Sequence, residues 1–158
     1  MIRICMIGTG YVGLVSGACM ADFGHRVTCV DIVPERIAAI ENGDMPFYEP
    51  GLDLLVQKNV REERLDFTTD LTEGMRDADV VFIAVQTPQT EGSGEADLKY
   101  VWEVGQQVGE RIDGYKVVVT KSTVPVGTAR KLQRIIAEAS PGSAEFDMAS
   151  NPEFLREG

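Results

Sequence analysis

The chain has 158 residues, 25 of them acidic and 15 basic, for a formal net charge of −10. That length suits one domain with a proper core, and the charge argues against a nucleic-acid partner, because neutralising phosphates takes clustered Lys and Arg. An anionic small ligand stays open, since backbone amides at a helix start hold phosphate without any lysine. Cys5, Cys19 and Cys29 are odd in number, form no CxxC and sit in apolar segments, so they read as buried thiols in a reducing compartment. Apolar alternation begins at Ile2, which leaves no signal peptide ahead of it. No apolar run approaches ~20 residues, so no membrane partner is expected and the location expected is cytoplasmic.

Strand and helix patterns alternate along the chain. IRICMIG (2–8) is a short apolar run closed by glycine, a buried strand. YVGLVSGACMADFG (11–24) has small and apolar residues at helical spacing, and RVTCVD (26–31) is a β-branched strand ending on an acid. VPERIAAIENG (33–43) reads as a helix with proline at its start and glycine at its end. DMPFYEPGLDLLVQKNV (44–60) is looser, with a helical stretch around Leu52, Leu55 and Val56. LDFTTD (65–70) is a weak strand and LTEGMRDA (71–78) a short helix. DVVFIAVQTP (79–88) is the strongest strand, an unbroken apolar run suited to a sheet covered on both faces. After the flexible loop QTEGSGEA (89–96), residues 97–112 place Leu98, Val101, Gly105, Val108 and Ile112 on one helix face, with Asp97 as N-cap. YKVVVTKST (115–123) is another buried strand, 124–139 a helix and AEFDMASNP (144–152) a last strand. The fold class predicted is α/β: a Rossmann-like, doubly wound parallel sheet of about six strands in the order 3-2-1-4-5-6, helices on both faces, in one domain over 1–158.

GTGYVG (8–13) is a weak signal alone, but here it follows a strand, opens a helix, and precedes a second strand that ends in Asp31. Gly8 permits the tight turn, Gly10 lets a pyrophosphate approach the backbone, and Gly13 lets helix and strand pack closely. Asp31 would accept from an adenosine ribose and repel a 2′-phosphate, which favours NAD over NADP. Arg36 either packs over the adenine or reaches the ribose, or is a solvated helix residue. Thr87, Thr123 and Asn151–Glu153 follow the fourth, fifth and sixth strands, and ligands of open α/β sheets bind outside the carboxyl ends of strands. STVP also reads as an N-cap at Thr123 with proline just inside the helix, a role that coexists with ligand contact. Glu153 and Glu157 also read as solvated terminal carboxylates. His25, the one histidine, reads as a surface turn residue, and no metal-ligand set or Ser-His-Asp arrangement can be assembled.

GTGYVG, FYEPGL (47–52), VQTPQTEGSGEADLKYV (85–101), VTKSTVPVGT (119–128) and NPEFLREG (151–158) together resemble, in order and spacing, the UDP-glucose 6-dehydrogenase family, over the whole chain. The resemblance implies oxidation of a nucleotide sugar's 6-hydroxyl to a carboxylate in two hydride transfers, with two NAD in turn and a cysteine nucleophile that splits the oxidation into steps. It implies NAD contacts at Gly8, Gly10, Tyr11, Val12, Gly13, Asp31, Arg36, Thr87, Thr123 and Glu157. It implies catalytic roles for Thr123 and for Glu153, the latter as proton acceptor, and substrate contacts at Glu153, Phe154, Leu155, Arg156 and Glu157. Cys5, Cys19 and Cys29 do not match the family's nucleophile. The chain therefore reads as an N-terminal NAD-binding portion, inactive and monomeric alone, without the central helix and sugar-nucleotide domain through which the family assembles. A GDP-mannose or other nucleotide-sugar dehydrogenase, a stand-alone dinucleotide-binding module and a methyltransferase are the alternatives.

Overall fold

The computed structural model describes residues 1–90, 92, 94, 96–142 and 144–154. The elements are β1 (Arg3–Ile7), α1 (Tyr11–Asp22), β2 (Arg26–Val30), α2 (Pro34–Glu41), α3 (Leu52–Arg61), β3 (Leu65–Thr68), α4 (Leu71–Met75), β4 (Val80–Ile83), α5 (Lys99–Arg111), β5 (Lys116–Thr120), α6 (Thr128–Ala139) and β6 (Phe146–Ser150). The strands form one sheet in the order β3-β2-β1-β4-β5-β6, every neighbouring pair parallel. This is the doubly wound sheet that the alternating pattern predicts.

Successive strand residues face opposite sides, so β1 feeds two cores. Ile4 and Met6 join Leu14, Ala18, Ile37 and Ile40, while Cys5 and Ile7 join Val101, Val108, Leu132 and Ile136. Burying each of the larger side chains contributes about 1.5–3 kcal/mol. The register also levels the carboxyl ends. Ile7 lies beside Val30 and Ile83, Val30 beside Thr68, Ile83 beside Thr120, and Thr120 beside Ser150. The residues that follow, from Gly8 and Asp31 to Lys121 and Asn151, therefore leave the sheet along one edge.

Two helix starts differ from the sequence reading. Residues 124–127 are not helical: α6 begins at Thr128, behind Gly127 with φ +92°. The Pro125 carbonyl accepts from both Thr128 Oγ1 (2.7 Å) and Thr128 N (3.2 Å), which makes VPVG a closed turn. Thr123 is thus no N-cap. Asp97 lies one residue ahead of the cap position, Leu98, although its Oδ1 does accept from Lys99 N at 2.9 Å. β4 stops at Ile83 rather than continuing to 88, because the Ile83 carbonyl is the last to join β5, accepting from both Lys121 N and Ser122 N. Among the described residues, no helix is long and apolar enough to cross a membrane.

Candidate binding site at the carboxyl edge of the sheet

The glycine-rich turn lies between β1 and α1. Gly8 N donates to the Val30 carbonyl at 2.8 Å, and a Cβ at Gly8 would come 2.7 Å from the Ala84 carbonyl oxygen. With φ +105° as well, the position requires glycine. A Cβ at Gly13 would collide with the Gly8 carbonyl, so that glycine holds α1 against its own turn. Gly10 is different. It caps α1 in extended backbone, a Cβ there would meet nothing within 4 Å, and no side chain caps the helix. Open space therefore stands over a helix N-terminus whose first amides lack intrahelical acceptors, where dipole and donors favour an anion.

Asp31, at the exit of β2, is 7% exposed and anchors this turn. Its Oδ2 accepts from Thr9 N at 3.0 Å, Thr9 Oγ1 at 2.7 Å and Arg36 Nη1 at 3.0 Å, and its Oδ1 accepts from Val33 N at 3.1 Å. Burial pushes the carboxyl's pKa up, but the Thr9 amide and hydroxyl, the Val33 amide and the Arg36 charge outweigh it, and the net shift is downward. Arg36 is not a freely solvated helix residue: its Nη1 is ion-paired to Asp31.

Gly10, Asp31, Ile32 and Arg36 line one wall of a cleft of about 450 Å³, and Tyr100 and Arg111 of α5 line the other. Ile32 is 81% exposed, an apolar platform beside the acid. On the other side of the turn, Tyr11 is fastened to the FYEPGL segment. Its hydroxyl donates to Glu49 Oε2 at 3.1 Å and its ring meets Phe47 edge-on, centroids 5.1 Å apart.

Thr87, Thr123 and Glu153 do not line that cleft. They lie further along the same edge, after β4, β5 and β6. The structure joins two of them directly: Thr87 Oγ1 donates to the Thr123 carbonyl at 3.1 Å. Glu153 is half-buried and Phe154 is 92% exposed. Leu155, Arg156 and Glu157 lie outside the described residues. The sequence reading missed Thr9, Tyr100, Arg111 and Lys121. Lys121 is 8% exposed and its Nζ donates to Asn151 Oδ1 at 3.0 Å. For Thr9 a signal existed, its place inside GTG between the two glycines of the turn; for Lys121 it was a charge running straight on from the apolar VVVT.

The three cysteines are free, Cys5 and Cys29 buried and Cys19 partly so. Burial pushes the Cys5 thiol up to about 12 and raises Cys19 and Cys29 as well. None presents the accessible, thiolate-favouring setting of a nucleophile. His25 sits in its turn, with Nδ1 accepting from Ile2 N at 3.4 Å.

The model of the NAD-binding domain of the UDP-glucose/GDP-mannose dehydrogenase family matches residues 2–158. UDP-glucose 6-dehydrogenase TuaD of Bacillus subtilis is 53% identical over 158 residues, which is 100% of this chain and 34% of that protein. The UDP-glucose 6-dehydrogenase of Rhizobium meliloti is 54% identical over 157 residues, 99% of this chain and 36% of that protein. Among solved structures, a UDP-glucose dehydrogenase from Pyrobaculum islandicum superposes with a TM-score of 0.94 at 40% identity, covering 100% of this chain and 37% of its own. A GDP-mannose dehydrogenase from Pseudomonas aeruginosa, solved as a ternary complex, gives 0.93 at 38% identity, covering 99% of this chain and 37% of its own. The chain thus spans about a third of the length of these curated relatives.

Proposed function

Because the chain belongs to the UDP-glucose/GDP-mannose dehydrogenase family and forms its NAD-binding domain, we propose that residues 1–158 act as one unit holding NAD along the carboxyl edge of the sheet. In this reading they serve a UDP-glucose 6-dehydrogenase that makes UDP-glucuronate. The observation that carries the cofactor site is the uncapped N-terminus of α1, with open space at Gly10 and an acid at the neighbouring strand exit.

The residues fit the group chemically. Amides of the Gly8–Gly13 turn, including those of Tyr11 and Val12, would hold the pyrophosphate. Asp31 Oδ1 has one hydrogen bond and keeps acceptor capacity for a ribose hydroxyl, while Oδ2 is occupied by Thr9 and Arg36. A 2′-phosphate would meet the Asp31 carboxylate, which supports NAD over NADP. Ile32 offers its exposed apolar face to the adenine. When bound, NAD supplies a hydride acceptor.

Thr87 and Thr123 border the nicotinamide end in this proposal. Glu153 takes the proton of the sugar hydroxyl, and Phe154, Leu155, Arg156 and Glu157 approach the nucleotide sugar, Glu157 also the cofactor. The nucleophilic cysteine is assigned to sequence outside these residues, because burial disfavours the thiolate at Cys5, Cys19 and Cys29. The same free thiols support a reducing, cytoplasmic setting. Alone, the chain is monomeric and inactive in this reading. Identities of 53% and 54% to UDP-glucose 6-dehydrogenases favour that sugar nucleotide over GDP-mannose.

Calorimetric titration of the purified chain with NAD and with NADP tests the reading. NAD should bind at least about tenfold tighter, a difference of ~1.4 kcal/mol. Equal or tighter binding of NADP would overturn the role given to Asp31.

A further inference from the structure

The strand exits at this edge are laced together by side chains. Ser122 Oγ donates to the Val85 carbonyl at 2.6 Å, and Thr87 Oγ1 to the Thr123 carbonyl at 3.1 Å, so the exits of β4 and β5 are tied twice. At this end the next seam, β5 to β6, has, among the described residues, the backbone bond from Asn151 N to the Thr120 carbonyl, 2.9 Å, and one side-chain tie. That tie is Lys121 Nζ to Asn151 Oδ1 at 3.0 Å.

Lys116, at the opposite end of β5, gives the contrast. It is 3% exposed, and its ammonium has both a carboxylate, Asp113 at 3.1 Å, and the Ala78 carbonyl at 3.0 Å. Lys121 is nearly as buried, yet among the described residues its ammonium has no carboxylate partner. A buried, uncompensated cation is costly, and an apolar side chain of similar length would pack there without that cost. What methionine could not supply is the directed bond to Asn151, two residues before Glu153.

We propose that Lys121 is a positioning residue of the carboxyl-edge site: it fixes Asn151, and with it the exit carrying Glu153, against the Thr87–Thr123 seam. The inference rests on the reading above that the nicotinamide end of the cofactor lies at that seam. It assigns Lys121 no contact with reacting atoms.

The test splits the cofactor. Calorimetry on the purified chain compares NAD with ADP-ribose, which keeps the adenosine and pyrophosphate but lacks the nicotinamide. Lys121→Met should weaken NAD about tenfold, ~1.4 kcal/mol, and leave ADP-ribose within about twofold. Asn151→Asp keeps an acceptor for the ammonium and should hold both ligands within about twofold of wild type. If Lys121→Met does not fold, Asn151→Ala removes the same bond and carries the same expectation. Equal weakening of both ligands would make Lys121 a general structural residue and overturn the proposal, as would no change in either. Wild-type protein that binds ADP-ribose and NAD keeps the cofactor reading standing in both cases; wild-type protein that binds neither overturns that reading and this inference with it.

Discussion

Replacing Asp31 with alanine should cost stability before any cofactor is added. The truncation removes the acceptor of four hydrogen bonds, three on Oδ2 and one on Oδ1. Their donors differ in what they can do next. Arg36, with a side chain 34% exposed, turns to water, and Val33 is half-buried and partly rehydrates. Thr9 is 0% exposed, so its amide and hydroxyl stay dry and unpaired. At about 1–3 kcal/mol for each buried unsatisfied group, less some relaxation of the turn, the loss should be about 2–4 kcal/mol. That is a large share of the ~5–15 kcal/mol typical of a whole domain. Urea denaturation of the ligand-free protein at pH 7 measures it. The difference from wild type should also depend on pH. The folded-state pKa of Asp31 lies below its ordinary value, so its contribution is full above the unfolded carboxyl's pKa of ~3.9 and is lost as pH falls through the lower folded value. A loss under about 1 kcal/mol at pH 7, or a difference that grows on acidification, would refute the view that Asp31 holds the turn. The same result warns that weaker NAD binding by this variant does not isolate ribose recognition.

In native protein at pH 8, a thiol reagent should leave Cys5 and Cys29 unmodified and titrate all three cysteines after denaturation, because burial keeps those two as thiols; rapid native labelling of either, read by mass spectrometry, would contradict this. Gly109→Ala should destabilise by about 1–3 kcal/mol, since its Cβ would sit 2.5 Å from the Ile136 carbonyl oxygen where α5 packs on α6; an unchanged denaturation midpoint would contradict that packing.

The sheet was legible because its information is local. Apolar runs such as VVFIAV and VVVT, punctuated by Gly24, Gly43 and the Pro34 that starts α2, carry period and boundary together. The pairing of GTGYVG with the acid at Asp31 was legible for the same reason: both are fixed by spacing along one β-α-β unit, and the structure brings them together at one turn. What the sequence hid was direction and long-range pairing. Nothing in five residues of spacing says that Arg36 turns back onto Asp31 rather than outward. STVPVGT allows a helix start at Pro125, and only the left-handed Gly127 moves it to Thr128. Lys121 finds Asn151 thirty residues on, through a β5–β6 register that no local pattern encodes.

The central claim, that the N-terminus of α1 is a cofactor cradle rather than a bare β-α turn, is tested most directly by titrating NAD into wild-type protein and Gly10→Ala. A Cβ at Gly10 meets nothing in the folded chain and sits on ordinary extended backbone with φ −70°. The substitution should therefore leave stability within about 1 kcal/mol of wild type, while occupying the space where a pyrophosphate would approach. The account predicts an intact denaturation curve together with NAD affinity reduced by about tenfold or more, ~1.4 kcal/mol. Equal NAD affinity in the two proteins, with both folded, would contradict it.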